Sequence, residues 1–267
     1  MKKSVSKQVC TGLLSVYFTC NIALAQTEKD TDSFIIIGAL NKGEYQGSSD
    51  NGIVPAIISE FTLFGSNIEI EGLTARAELY SHNNWHMGVA SQFDFGRDDE
   101  VTNVKVAIMK VIDKNINLGG YLSHKNKDFL LGGDELELRV QTTFGASSVH
   151  KGSLTTFTST YTLPLYIPWR FEFEVESSFA SDKYMKSYFG VSQADALASG
   201  LPQFTANADF TDITFNANII LFSSPTWGAY TRLSYSRLLN DAAESPLVKQ
   251  EGSANQTQFG LGVFYRF

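Results

Sequence analysis

The sequence has no unbroken apolar run of about 18 residues, which excludes a helical membrane span. Cysteine is scarce: the only two, Cys10 and Cys20, fall near the N-terminus. Charged residues make up 18% of the chain, and there are six prolines and four histidines. The 21 Lys and Arg against 28 Asp and Glu give a formal net charge of −7 with no basic stripe. Phosphate binding needs concentrated Lys and Arg, so the composition argues against a nucleic-acid partner. What is abundant is aromatic and small: 13% aromatic residues, 20 of them Phe, together with 21 Gly. That content is too apolar for a disordered chain, yet its 43% of hydrophobic residues are scattered rather than clustered.

The N-terminus has the layout of a secretory signal peptide. Lys2, Lys3 and Lys7 precede a short apolar stretch from Leu13 to Phe18, and Ala23-Leu24-Ala25 supplies a small-x-small cleavage site. Cleavage after Ala25 removes three lysines and no acid, so the mature chain, 26–267, is more acidic still. Both cysteines leave with the leader. Disulfides, thiolate metal sites and a Cys nucleophile are then excluded together. Tyr17-Phe18-Thr19 before Cys20 is a poor lipidation signal.

Alternation with period two dominates the mature chain. From Trp169 to Ala180 the odd positions read Trp, Phe, Phe, Val, Ser, Phe and the even ones Arg, Glu, Glu, Glu, Ser, Ala. The stretches 85–97 and 135–144 alternate in the same way. Similar segments lie near 33–45, 53–64, 67–80, 115–124, 153–165, 204–222, 227–239 and 257–267. About eleven strands result, each near the 9–11 residues of a tilted membrane strand.

A soluble sandwich would also alternate, so three details separate it from a barrel. The apolar face carries large aromatics while the polar face carries many small residues, which suits a crowded lumen. Trp85, Trp169 and Trp227 each follow a turn, where an interfacial aromatic girdle belongs. The final strand ends Phe259-Gly260-Leu261-Gly262-Val263-Phe264-Tyr265-Arg266-Phe267. Val263, Tyr265 and Phe267 on one face resemble the signal read by the outer-membrane barrel-assembly machinery. The expected fold is all-β: a closed antiparallel transmembrane barrel bathed in outer-membrane lipid. Closure calls for an even strand count, twelve favoured and ten as the fallback. Phase slips near Gly72 and Thr211, or a fold-back within 168–190, would supply the missing strand.

One or two short loop helices are expected. Between Asp98 and Lys114, Val104, Ala107, Ile108, Val111 and Ile112 fall at helical spacing. Ser192 and Asp195 have capping-box spacing, with Gly200 as a stop. Asn240 to Gln256 reads as a long polar, outward-facing loop.

The polar faces, pointing inward, would line the lumen with Glu135, Glu137, Glu172, Glu174 and Glu176 opposite Arg76, Arg139, Arg170 and Arg232. Such groups tie into a salt-bridged plug or line a conduction path, and the plug is the favoured reading. No catalytic, cofactor-binding or metal-ligating set is found. His82, His86, His124 and His150 show no His-x-Ser motif and no ligand spacing, and the Ser81-His82 and Ser123-His124 neighbours point to opposite faces of a strand. His86 reads as a lumen filler.

The second half of the chain resembles the MltA-interacting protein (MipA/OmpV) family of outer-membrane proteins. The match runs through Tyr188-Phe189-Gly190-Val191-Ser192 and Ser199-Gly200-Leu201. It continues through Arg237-Leu238-Leu239-Asn240-Asp241-Ala242-Ala243-Glu244-Ser245-Pro246-Leu247-Val248, then Gly252, Gln256 and the terminal strand. Gly38, Tyr45-Gln46-Gly47-Ser48-Ser49-Asp50 and Pro55 resemble the family's first hairpin, while 98–165 matches loosely. The resemblance implies a non-enzymatic barrel that holds a periplasmic murein hydrolase, a lytic transglycosylase, near a murein synthase. It brings no catalytic residues.

Overall fold

The computed structural model describes residues 33–145 and 152–267. The expected leader segment with Cys10 and Cys20, and His150, lie outside the described residues. Twelve strands follow in order: β1 (Phe34–Gly43), β2 (Asn51–Leu63), β3 (Ser66–Glu71), β4 (Thr74–His82), β5 (Trp85–Asp94) and β6 (Asn115–Lys127). Then come β7 (Glu135–Gly145), β8 (Ser153–Thr162), β9 (Trp169–Ala180), β10 (Asp209–Phe222), β11 (Trp227–Leu238) and β12 (Asn255–Arg266). Each pairs antiparallel with its sequence neighbour, and β1 closes on β12. Closure satisfies the backbone along the ladders, the condition for strands to cross hydrocarbon, and only the start of β2, 51–56, extends past its β3 partner.

The count of twelve comes from Gly72. The segment read as one strand over 67–80 is two, because Gly72 takes φ +56° and turns the chain within a Glu71–Thr74 pair. The slip at Thr211 is instead a bulge between Phe210 and Asp212. Residues 168–190 do not fold back as strands; they hold β9 and then α2 (Asp182–Tyr188).

Alternation becomes two faces. Outward on β12 point Phe259, Leu261, Val263, Tyr265 and Phe267, while Phe264 is buried inward with Gln258 and Arg266 on its side. Trp85, Trp169 and Trp227 begin β5, β9 and β11 at the end of the barrel where β1 starts and β12 finishes. There Trp227 packs on Tyr265 at 4.6 Å and Trp85 on His124 at 4.6 Å. An apolar exterior with such a girdle identifies a membrane barrel of the outer-membrane type.

Short turns share the terminal end, while the long connections gather at the other. Outer-membrane barrels place short turns in the periplasm and long loops outside. Among the described residues the long connections hold five short helical segments where one or two were expected: α1 (Val104–Ala107), α2, α3 (Gln193–Ser199), α4 (Asn240–Glu244) and α5 (Pro246–Lys249). Only α3 follows the reading closely, with a complete Ser192–Asp195 capping box and Gly200 at φ +76°. Two corrections follow. The helix over 98–114 shrinks to one turn, and its buried residues are Val106, Met109 and Ile112, while Val104, Ile108 and Val111 are exposed. Asn240–Gln256 is not a free polar loop: Ala242, Ser245, Leu247 and Val248 are buried. In both cases the loops pack on one another, so burial follows the neighbouring loop rather than a single helix's own stripe.

Candidate functional site

Two features occupy the barrel: a charged network across its middle and a cap over its outer end. The structure places Arg76, Glu135, Glu137, Arg139, Arg170, Glu172, Glu174, Glu176 and Arg232 on inner strand faces, around lumen cavities. It also brings in Glu69 and Glu71 on β3, which the sequence reading passed over. Arg76 reaches Glu69 at 2.8 Å and Glu71 at 3.3 Å, and donates Nε–H to Gln141 at 2.7 Å. From β7, Arg139 bridges Glu69 at 3.2 Å and Glu137 at 2.9 Å. From β11, Arg232 bridges Glu71 at 3.1 Å and Glu174 at 3.4 Å. The short β3 thereby ties across the lumen to β7 and β11. Paired and hydrogen-bonded in this way, the charges avoid the penalty of isolated burial.

On β9 the three glutamates stack along the inner face, with amides as their immediate partners. Asn216 donates to Glu174 at 2.7 Å and Glu176 at 2.9 Å, and Asn218 donates to Glu172 at 2.9 Å. His86 Nδ1 lies 2.6 Å from Glu78, a lumen contact as expected of a filler. A cavity of about 340 Å³ lies on the periplasmic side of the network. Another of about 350 Å³ lies between it and the cap.

The cap joins four connections: 44–50, 95–114, 181–208 and 239–254. Tyr188, Phe189, Gly190, Asp241, Ser245 and Pro246, the motif residues, all belong to it. Phe189 is fully buried, and the buried Ser245 hydroxyl donates to its carbonyl at 2.6 Å. Gly190 sits where a Cβ would lie 2.4 Å from the Lys186 carbonyl. The Asp241 carboxylate accepts from the Asn207 backbone and side chain at 2.9 and 3.0 Å. Pro246 opens α5, where its missing N–H is harmless. Ser48 pairs with Gly252, at which a Cβ would meet the Gly47 carbonyl at 1.9 Å. The motif is therefore the joint between loops, which explains its mixture of glycine, hydroxyl and carboxylate.

Electrostatics follow packing. Burial raises the Tyr184 and Tyr188 phenols above their ordinary range, and the Tyr188 hydroxyl donates to Asp94. Burial also pushes Asp195 upward, but bonds from the Ser192 hydroxyl and the Lys110 and Ser192 amides outweigh it and leave the carboxyl lowered. Lys105 and Asn103 hold Glu251 low by bonds of 2.6 and 3.1 Å. Among the described residues, no group of three or more His, Cys, Asp or Glu is placed to hold a metal ion.

The periplasmic rim differs from the cap. In the β6–β7 turn, Asp134 accepts from the amides of Phe129, Leu130 and Leu131 at 2.6, 3.0 and 2.9 Å, and from the Tyr161 hydroxyl at 2.6 Å. Those three side chains are exposed, as are Leu165, Tyr166 and Ile167 in the next turn. The two turns are neighbours: a Cβ on Gly133 would come within 3.7 Å of Pro164.

Among solved structures, the chain is similar to the KdgM porin, with 12% identity, a TM-score of 0.44, and coverage of 88% of this chain and 99% of that one. It is similar to the NanC porin at 8% identity and a TM-score of 0.45, covering 88% and 100%. For OmpT of Vibrio cholerae the values are 7%, 0.39, 88% and 97%. A search of curated proteins finds no match. Sequence comparison is more specific than these folds: the family model described as MltA-interacting protein MipA matches residues 35–267, and the chain belongs to that family.

Proposed function

We propose that this chain is a non-enzymatic scaffold of the outer membrane. Its partner would be the periplasmic murein hydrolase for which the family is named, brought near a murein synthase. The observation that carries the reading is the periplasmic rim: Phe129, Leu130, Leu131, Leu165, Tyr166 and Ile167 are exposed on two neighbouring turns, one of them fixed by Asp134. Apolar side chains displayed on a rigid support are the form an interaction hot spot takes. The ion network ties β3 across the lumen to β7 and β11, and β11 to β9, which suits a rigid support.

The test is retention of periplasmic murein hydrolase and synthase on the immobilised barrel, compared with Leu130→Asp and Ile167→Asp variants. Retention lost on substitution supports the scaffold. Retention no greater than on an unrelated barrel overturns it.

A second reading, a narrow solute channel, has its own observation. A cavity of about 220 Å³ lined by Glu71, Arg76, Glu176 and Arg232 shares lining residues with both the cavity of about 340 Å³ and the one of about 350 Å³. Discrete cation-selective steps in planar bilayers, lost in Glu172→Gln/Glu174→Gln, would favour that reading.

A further inference from the structure

The wall is incomplete on one side. β2 runs from Asn51 to Leu63, but its pairing with β3 begins only at Ile58, and the hairpin tip is Gly72-Leu73. The Gly72 amide donates to the Ile57 carbonyl at 2.8 Å, so the odd residues of β2 direct their backbone groups toward the hairpin side. Above Ile57 that side has no pairing strand among the described residues. Residues 51–56 continue past the tip for roughly 20 Å at about 3.4 Å each. The opposite border is the end of β5, where Phe93 donates to the Leu73 carbonyl at 2.8 Å and Phe95 follows. Pro55 occupies one of the edge positions and has no N–H to leave unpaired there, the usual device at a strand edge.

Three observations make this gap an opening. A Cβ at Gly52, on the inner face of β2, or at Gly72 would meet no atom within 4 Å. Ile53 and Ile57 are exposed on the outward face of β2 beside it and Phe95 is exposed at its other border, so apolar side chains flank the opening. Leu73 and Phe95 also line the cavity of about 350 Å³ beneath the cap, whose size falls in the range of small-molecule sites, about 300–1,000 Å³. Lys42, from the inner face of β1, holds its ammonium 5.6 Å from the Phe95 ring, so a cationic group stands just inside the gap.

We propose that the gap between β2 and β5 is a lateral portal that admits the acyl chain of an outer-leaflet lipid into the upper lumen. Hydrocarbon enters beside Ile53 and Phe95 and occupies the cavity beneath the cap. The polar headgroup stays at the rim near Lys42, where it meets the N–H and C=O groups of the β2 edge that hydrocarbon alone would leave unsatisfied. Pro55 disfavours a partner strand as the occupant, because a strand needs the donor that proline lacks. The inference is independent of whether the barrel acts as scaffold or channel.

The test uses single-cysteine variants of the full chain with Cys10 and Cys20 replaced by serine. Ala56→Cys reports the inner face at the portal, Ile57→Cys the lipid face, and Thr158→Cys the inner face of β8. Each is labelled with bimane and reconstituted into phosphatidylcholine vesicles containing lipid brominated on its acyl chains. The Ala56 label is expected to be quenched several-fold more than the Thr158 label and to approach Ile57. Adding Gly52→Trp, which fills open space, is expected to return it to the Thr158 level. Equal quenching at positions 56 and 158, or quenching that ignores Gly52→Trp, overturns the portal. In a second arm, brominated dodecanoic acid is added to vesicles of unbrominated lipid. Quenching of the Ala56 label in that arm alone overturns the leaflet as the source.

Discussion

Ser245→Ala tests whether the motif joint holds the cap together. The Ser245 hydroxyl donates at 2.6 Å to the Phe189 carbonyl, and both residues are fully buried. Alanine removes the donor but leaves the carbonyl without access to water. The relevant cost is therefore the desolvation of an unsatisfied acceptor, about 1–3 kcal/mol, rather than the smaller net worth of a replaceable hydrogen bond. At a central 2 kcal/mol, the population of opened cap rises about 30-fold, given tenfold per 1.4 kcal/mol. The change is local, because strand ladders do not pass through Ser245. Hydrogen exchange followed by mass spectrometry on the reconstituted barrel reads it directly. The amides of Phe189, Val191, Val248 and Lys249, bonded to Met185, Phe204 and Ser245 carbonyls, are expected to lose protection together. Strand amides in β6–β8 are expected to be unchanged. Unchanged protection in both cap loops would refute the reasoning, and so would uniform loss throughout the barrel.

Four further outcomes are expected. Arg139→Met with Arg232→Met cuts the ties from β3 to β7 and β11, and planar-bilayer recordings should then show a larger conductance than the parent's. At the closure seam, a Cβ on Gly38 would lie 2.0 Å from the Leu261 carbonyl, so Gly38→Val should reach the upper end of the roughly 1–3 kcal/mol of overpacking, read as a lower urea midpoint. The lowered Asp195 carboxyl contributes cap stability that is present above its unfolded value and lost as pH falls through the folded value. Exchange at Lys110 should therefore accelerate below about pH 4, and Asp195→Asn should remove that dependence. Phe267→Ala should reduce the fraction of chain assembled in the membrane, measured by heat-modifiable gel mobility; full assembly would count against a recognition role for the terminal residue.

Legibility followed the range of the interactions. Strands such as β7 and β9 were readable because each residue answers to lipid or lumen with strict alternation, and the same parity located Arg139 and Glu174. The capping box at Ser192 was readable because its bonds close within four residues. β3 was missed as a separate strand because six residues offer too little repeat to separate a turn from a bulge, and Glu69 and Glu71 were missed with it. The buried set Val106, Met109 and Ile112 could not be found by helical spacing, since α1 is a single turn and burial comes from other loops, Ala196 and Leu247 for Val106 and Met109 and the α2 cluster for Ile112. The joining role of Ser245 depends on Phe189, far away along the chain and brought close only by closure.

The ties from β3 bear on mechanics. A closed sheet resists flattening through its hoop of strand pairs, and a hairpin as short as β3–β4 weakens that hoop at one point. Arg232 to Glu71 and Arg139 to Glu69 act there as spokes, pulling the weak arc toward two distant parts of the wall. Lateral tension that would make an unbraced ring oval must first stretch charge-assisted bonds shielded from bulk water. The cross-section is set by its spokes as much as by its rim.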